Sequence, residues 1–124
     1  MTDPREPAIR LIMLPKDTNA YGTIFGGVIL SYIDQAGAVE ARKHKTDLLV
    51  TIAMREVVFH KPVYVGDLVS FYTELVRIGN TSITVAVEVI ATRGINPHEH
   101  VKVTQAEVTF VNVGSDRKPK PIPR

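Results

Sequence analysis

Gly27-Val-Ile-Leu-Ser-Tyr-Ile-Asp34-Gln-Ala-Gly-Ala-Val39 is apolar on nearly every side and carries a single charge, Asp34. Ile29, Ile33, Ala36, Gly37 and Glu40 recur at three- and four-residue spacing, which predicts a helix from Gly27 to about His44. Lys43, His44 and Lys45 suit the negative end of its dipole. A helix this apolar is a buried one, so the rest of the chain has to wrap it. Ala36, Gly37 and Ala38 are small enough for strands to approach closely.

Strands are available on both sides. Ala8 to Leu14 suits a short first strand stopped by Pro15. Leu48 to Lys61 reads as a long strand, with a bulge expected near Arg55-Glu56, where the alternation changes phase. Leu68 to Ile78 follows, then a Gly79-Asn80 hairpin turn. Ile83 to Ala91 alternates cleanly, and His100 to Val113 makes the last strand. The expectation is an α+β domain, an antiparallel sheet curled around one long helix. Such a sheet leaves edges, and pairing them across a dimer is a common remedy.

With 124 residues the chain fits one domain, expected at 8–113. Residues 1–7 and the Pro- and Lys-rich 114–124 are expected to be flexible. There is no cysteine, hence no disulfide framework, zinc ribbon or Cys nucleophile. The polar head lacks a secretory h-region and no run is long enough to span a bilayer, so a cytoplasmic, non-membrane protein is expected. A net charge of +2 and 6% aromatic residues, with no aromatic-basic motif, argue against nucleic-acid binding.

Asp34 is the first candidate for chemistry. It lies two turns into the helix, too late to cap it, and a lone carboxylate there is costly unless hydrogen-bonded or open to a polar cavity. Gly26 and Gly27 at the helix start leave backbone N–H groups free for a developing oxyanion. The glycine pair lacks the spacing and the Lys of a phosphate loop. His98-Glu99-His100 has no third ligand in view, so no metal site is expected. No G-x-S-x-G elbow is present.

Taken together, Asp17-Thr18-Asn19-Ala20-x-Gly22-x-Ile24-Phe25-Gly26-Gly27 followed by Ser31-x-Ile33-Asp34-x-Ala36-Gly37 closely resembles the hotdog-fold acyl-CoA thioesterases, in the YciA-like and cytosolic acyl-CoA hydrolase branch. Further matching segments are Phe59-x-Lys61-Pro62-Val63-x-Val65-Gly66-Asp67, Gly79-x-Thr81-Ser82-Ile83 and Thr104-x-Ala106-x-Val108-x-Phe110-Val111, so the resemblance runs from about Arg10 to Val113. It implies a five-stranded antiparallel sheet around a central helix, dimers with a continuous sheet, and assembly into a homohexamer as a trimer of dimers. It also implies active sites at the dimer interface, with Asp34 and Asn19 from opposite subunits and the helix-start amides of Gly27 and Gly26 beside them. The substrate would be acyl-CoA, with no cofactor beyond the CoA it carries.

On this reading Asp34 is a general base on water, or a nucleophile forming a mixed anhydride. Asn19 orients water or thioester, and the glycine amides take the negative charge. Phe25, the Gly79-Asn80-Thr81-Ser82 turn and Arg93 are candidate acyl and CoA contacts, with Arg55, Lys61, Arg77 and Lys102 as further cations. Tyr21, Thr23 and Gln35 depart from the family pattern near the acyl entrance, which leaves chain-length preference open. A hotdog hydratase or dehydratase would need an acid-base partner where Phe25 stands. A non-catalytic acyl-CoA binder would not need Asp34.

Overall fold

Phe25, an N-cap with no side-chain hydrogen bond to offer, opens helix α1 (Gly26–Ala41) in the computed structural model, which describes residues 3–123. Residues 1, 2 and 124, parts of the two ends expected to be flexible, lie outside them. The helix stops three residues before His44. The Lys43 and His44 amides turn back to the carbonyls of Glu40 and Ala41, tightening the last turn into three-residue spacing. Ile29, Ile33, Ala36, Gly37 and Ala41 form the buried stripe. Gly27, Ser31, Gln35 and Val39 form an exposed one, so a single chain wraps one side of the helix and not all of it.

Five antiparallel strands, β1 (Ile9–Ile12), β2 (Leu48–Arg55), β3 (Leu68–Ile78), β4 (Ser82–Arg93) and β5 (Glu99–Val113), form one sheet in the order β1-β3-β4-β5-β2. This is the hotdog arrangement: the sheet curves around α1, with β1 and β2 as its edges. Val69, Phe71, Val85, Val87, Val89 and Val108 face the helix, and each is buried. Gly37 marks the closest approach. A Cβ there would stand 3.2 Å from the Phe110 ring, which is itself buried.

β2 departs from expectation in two ways. It ends at Arg55, because Glu56 adopts a left-handed conformation (φ 60°) and breaks the pairing. The bulge lies earlier, where Thr51 pairs with Phe110 and Ala53 with Thr109, leaving Ile52 extra. A second bulge, at Val103 in β5, offers its carbonyl to the His60 amide, while Thr104 Oγ1 donates to the Val58 carbonyl. These bonds tie down 57–61 although it belongs to no strand.

Residues 114–123, part of the tail expected to be flexible, pack against the sheet in this structure. The Lys120 amide bonds to the Asn112 carbonyl and the Ile122 amide to the Asn80 carbonyl, and Ile122 is 4% exposed. Buried Asn112 joins the pieces: its Oδ1 accepts from the Asp47 amide (2.6 Å), and its Nδ2 donates to the Lys120 carbonyl (3.1 Å). Lys120 also pairs with Asp47. A polar, Pro-rich composition hides this docking because one apolar residue, Ile122, and backbone bonds carry it. Near the other end, Arg5 pairs with Glu88 (2.7 Å) and lies over the Tyr72 ring (4.2 Å).

Candidate active site

Asp34 is half-buried, and its Oδ1 accepts a 2.7 Å hydrogen bond from the Thr51 hydroxyl on β2. The register of β2 on β5 sets this contact, because Thr51 shares the inward face with its cross-strand partner Phe110. The other carboxylate oxygen remains for water. Thr51 has no part in the sequence-level reading: β-strand alternation places it on one face, but only its register against β5 says which.

Asp34 lies eight residues beyond Gly26. At about 1.5 Å rise per residue, the carboxylate and the helix-start amides of one chain are about 12 Å apart along the axis. A water touching Asp34 therefore cannot attack a carbonyl held by the same chain's Gly26 or Gly27 amide.

The helix start borders a groove of about 350 Å³ lined by Ile24, Gly26, Ile29, Phe59, Pro62 and Val63. Gly26 packs over Phe59, a Cβ at that position lying 3.6 Å from the ring, and Gly27 has open space in front of it. The loop before it is fastened on two sides. The Phe25 amide bonds to the Asp17 carbonyl and the Ile24 amide to the Val63 carbonyl, at 2.9 and 2.8 Å. The Asp17 carboxylate caps the turn behind it, accepting from the Leu14 amide and the Lys16 ammonium, each at 3.1 Å. These donors, the Leu14 amide first, hold its pKa below the usual carboxylate value.

Asn19 stands in the same loop. Its Oδ1 accepts from the amides of Tyr21 and Thr23, and its Nδ2 donates to Thr23 Oγ1. The carbonyl side of this amide is thus spent on the loop, and one N–H of the Nδ2 group is left to point elsewhere. Phe25 and Tyr21 project outward, 54% and 90% exposed.

The expected CoA contacts separate. Gly79–Ser82 and Arg93 sit at opposite ends of β4, roughly 35 Å apart at the usual strand rise, so one chain cannot bring both to one ligand. At the turn, the Thr81 and Asn80 carbonyls receive the Asn112 and Ile122 amides. Arg93 lies at the helix-start end, but its guanidinium is turned inward. It pairs with buried Asp67 at 2.9 Å, donates to the Pro62 carbonyl at 3.0 Å and stacks on Tyr64. Lys102 pairs with Glu88, while Arg55, Lys61 and Arg77 are exposed. Among the described residues no group of three His, Asp or Glu side chains is placed to hold a metal ion. No described helix is long and apolar enough to cross a membrane.

Residues 21–97 match the family model of the Thioesterase superfamily. The chain is 38% identical over 122 residues to the acyl-CoA thioester hydrolase YciA of Salmonella typhimurium, covering 95% of this chain and 90% of that protein. The chain belongs to the YciA-like hotdog-fold acyl-CoA thioesterases. An uncharacterised acyl-CoA thioester hydrolase of Zymomonas mobilis is 40% identical over 119 residues, 95% of this chain and 78% of that one. A hexameric hotdog fold thioesterase of Campylobacter jejuni superposes with a TM-score of 0.91 at 47% identity, covering 98% of this chain and 93% of that chain. In this YciA-like thioesterase, Asp34 and the helix start lie about 12 Å apart along α1.

Proposed function

We propose that the protein hydrolyses acyl-CoA thioesters to the free acid and CoA at sites built between two subunits. The observation that carries this is Asp34: one half-buried carboxylate, oriented by Thr51, about 12 Å from the glycine-rich start of α1. Asp34 of one subunit takes a proton from water as the oxygen attacks the thioester carbonyl carbon. The carbonyl oxygen becomes an oxyanion facing the Gly26 and Gly27 amides of the other subunit, at the positive end of α1. Asn19 beside them directs its remaining N–H to the substrate. Collapse of the tetrahedral intermediate breaks the C–S bond, and the thiolate leaves and takes up the proton. A thiol with pKa near about 8.5 leaves without strong acid assistance, so one carboxylate and an oxyanion site suffice.

Dimerisation through β2 fits its position. It is an edge strand, and Leu48, Val50 and Ile52 are each about half exposed. The open stripe of Gly27, Ser31 and Gln35 lets a second helix approach. Three such dimers would give the hexamer described for the Campylobacter jejuni relative. Thiol release from a panel of short-, medium- and long-chain acyl-CoAs tests the assignment. Turnover by the wild type and none by Asp34→Asn is the expected pattern. Binding of acyl-CoA without release of thiol by the wild type would refute it in favour of a non-catalytic binder.

A further inference from the structure

The ion pair between Arg93, at the end of β4, and buried Asp67 has no part in the chemistry above, and its surroundings show what it holds. Asp67 is 3% exposed; its carboxylate Oδ2 accepts from the Tyr64 amide (2.9 Å) and forms an ion pair with Arg93 Nη2 (2.9 Å). The same Nη2 donates to the Pro62 carbonyl (3.0 Å), and the guanidinium packs on the Tyr64 ring. Arg93 therefore grips the Pro62–Asp67 turn at both ends. Between those grips lies Val63, buried, whose carbonyl receives the Ile24 amide. Ile24 is two residues from Gly26.

We infer that Arg93 is a positioning residue, acting through Asp67 and the 62–67 turn to fix the Gly26/Gly27 amides, rather than a contact for the CoA phosphates. The inference rests on the oxyanion role proposed for those amides. A guanidinium neutralised by a buried carboxylate has little charge left for a phosphate, and removing it leaves that carboxylate buried and unpaired. The turn would then relax, and the helix start with it. A misplacement of about 1 Å in a group that orients a transition state can cost about 10²-fold in rate.

Two thioesters with the same acyl group separate the roles: acyl-CoA, and the S-acyl-N-acetylcysteamine that lacks the nucleotide. Arg93→Ala is expected to lower kcat by about tenfold or more on both substrates and by the same factor, with Arg93→Lys recovering most of it. Exchange of the Ile24 amide hydrogen, read in the absence of substrate, is expected to quicken about tenfold in Arg93→Ala while that of Val87 in β4 is unchanged. Should Arg93→Ala fail to fold, Arg93→Gln carries the same readouts. A loss confined to acyl-CoA and expressed as a raised KM would overturn the inference in favour of a phosphate contact. Unaltered Ile24 exchange would overturn it as well. If the wild type cleaves neither thioester, the hydrolase assignment fails, and the Ile24 exchange still decides whether Arg93 holds the helix start.

Discussion

The Thr51 hydroxyl donates to Asp34 Oδ1 across 2.7 Å, joining the edge strand to the central helix at the one acidic position of that helix's middle turns. The bond fixes one carboxylate oxygen and so aims the other. Thr51→Val, which keeps the shape and removes the donor, is expected to lower kcat by about 10- to 100-fold, the worth of a hydrogen bond to a charged group. Thr51→Ser should retain most of the activity. Steady-state thiol release checks both, and equal kcat in Thr51→Val and wild type would remove Thr51 from the site.

Asp34→Asn keeps the volume and the Thr51 bond but cannot accept a proton. Loss of a general base corresponds to about 10²- to 10⁴-fold in kcat. Acyl-CoA affinity, measured by calorimetry on the same variant, should stay within a few-fold of wild type.

Mixed oligomers test the shared site. In a dimer of one Asp34→Ala and one Asn19→Ala chain, one site lacks both groups and the other has both. Co-refolded mixtures are expected to regain about a quarter of wild-type activity, from half the dimers being mixed and half their sites intact. No recovery in mixtures verified as mixed would place Asp34 and Asn19 on the same subunit.

Ile122 gives a stability prediction far from the chemistry. It is almost fully buried and anchors the tail against the 79–82 turn. Ile122→Ala is expected to cost about 2 to 4 kcal/mol, the range for truncating a buried Ile, read as a lowered denaturant midpoint.

Asp17 supplies a pH dependence. Its carboxyl titrates below the ordinary 3.8 because the Leu14 amide and then Lys16 favour the charged form. A depressed folded pKa means that its stabilisation is present in full above about pH 5 and is lost as pH falls through the folded value. Exchange-protection of the Phe25 amide, which bonds to the Asp17 carbonyl, should fall over that acid range in the wild type and show no such step in Asp17→Asn.

Much of the fold was readable from the chain because its signals are local. The alternation of Ile83 to Ala91, the Gly79-Asn80 turn and the apolar helix each declare their own element. Asp34 and the glycine pair were readable because a lone charge and a bare helix start are anomalies in such surroundings. What escaped depends on register or on backbone partners. Nothing in Thr51 says that Ile52 bulges out beside it. Arg93 looks like any surface cation until Asp67 is seen beneath it, and Ile122 sits in a segment whose composition argues for solvent. That Asp34 and the helix start lie too far apart to meet in one chain was legible, since eight residues of helix fix their spacing.

If Asp34 and the helix-start amides act together as proposed, their separation along α1 makes catalysis a property of the population rather than of the molecule. With the site shared as proposed, a lone protomer would be inert, so specific activity should rise with enzyme concentration and level off once dimers predominate. A cell making little of this protein would then hold it silent without any effector, and newly synthesised chains would begin to cleave substrate only on finding one another.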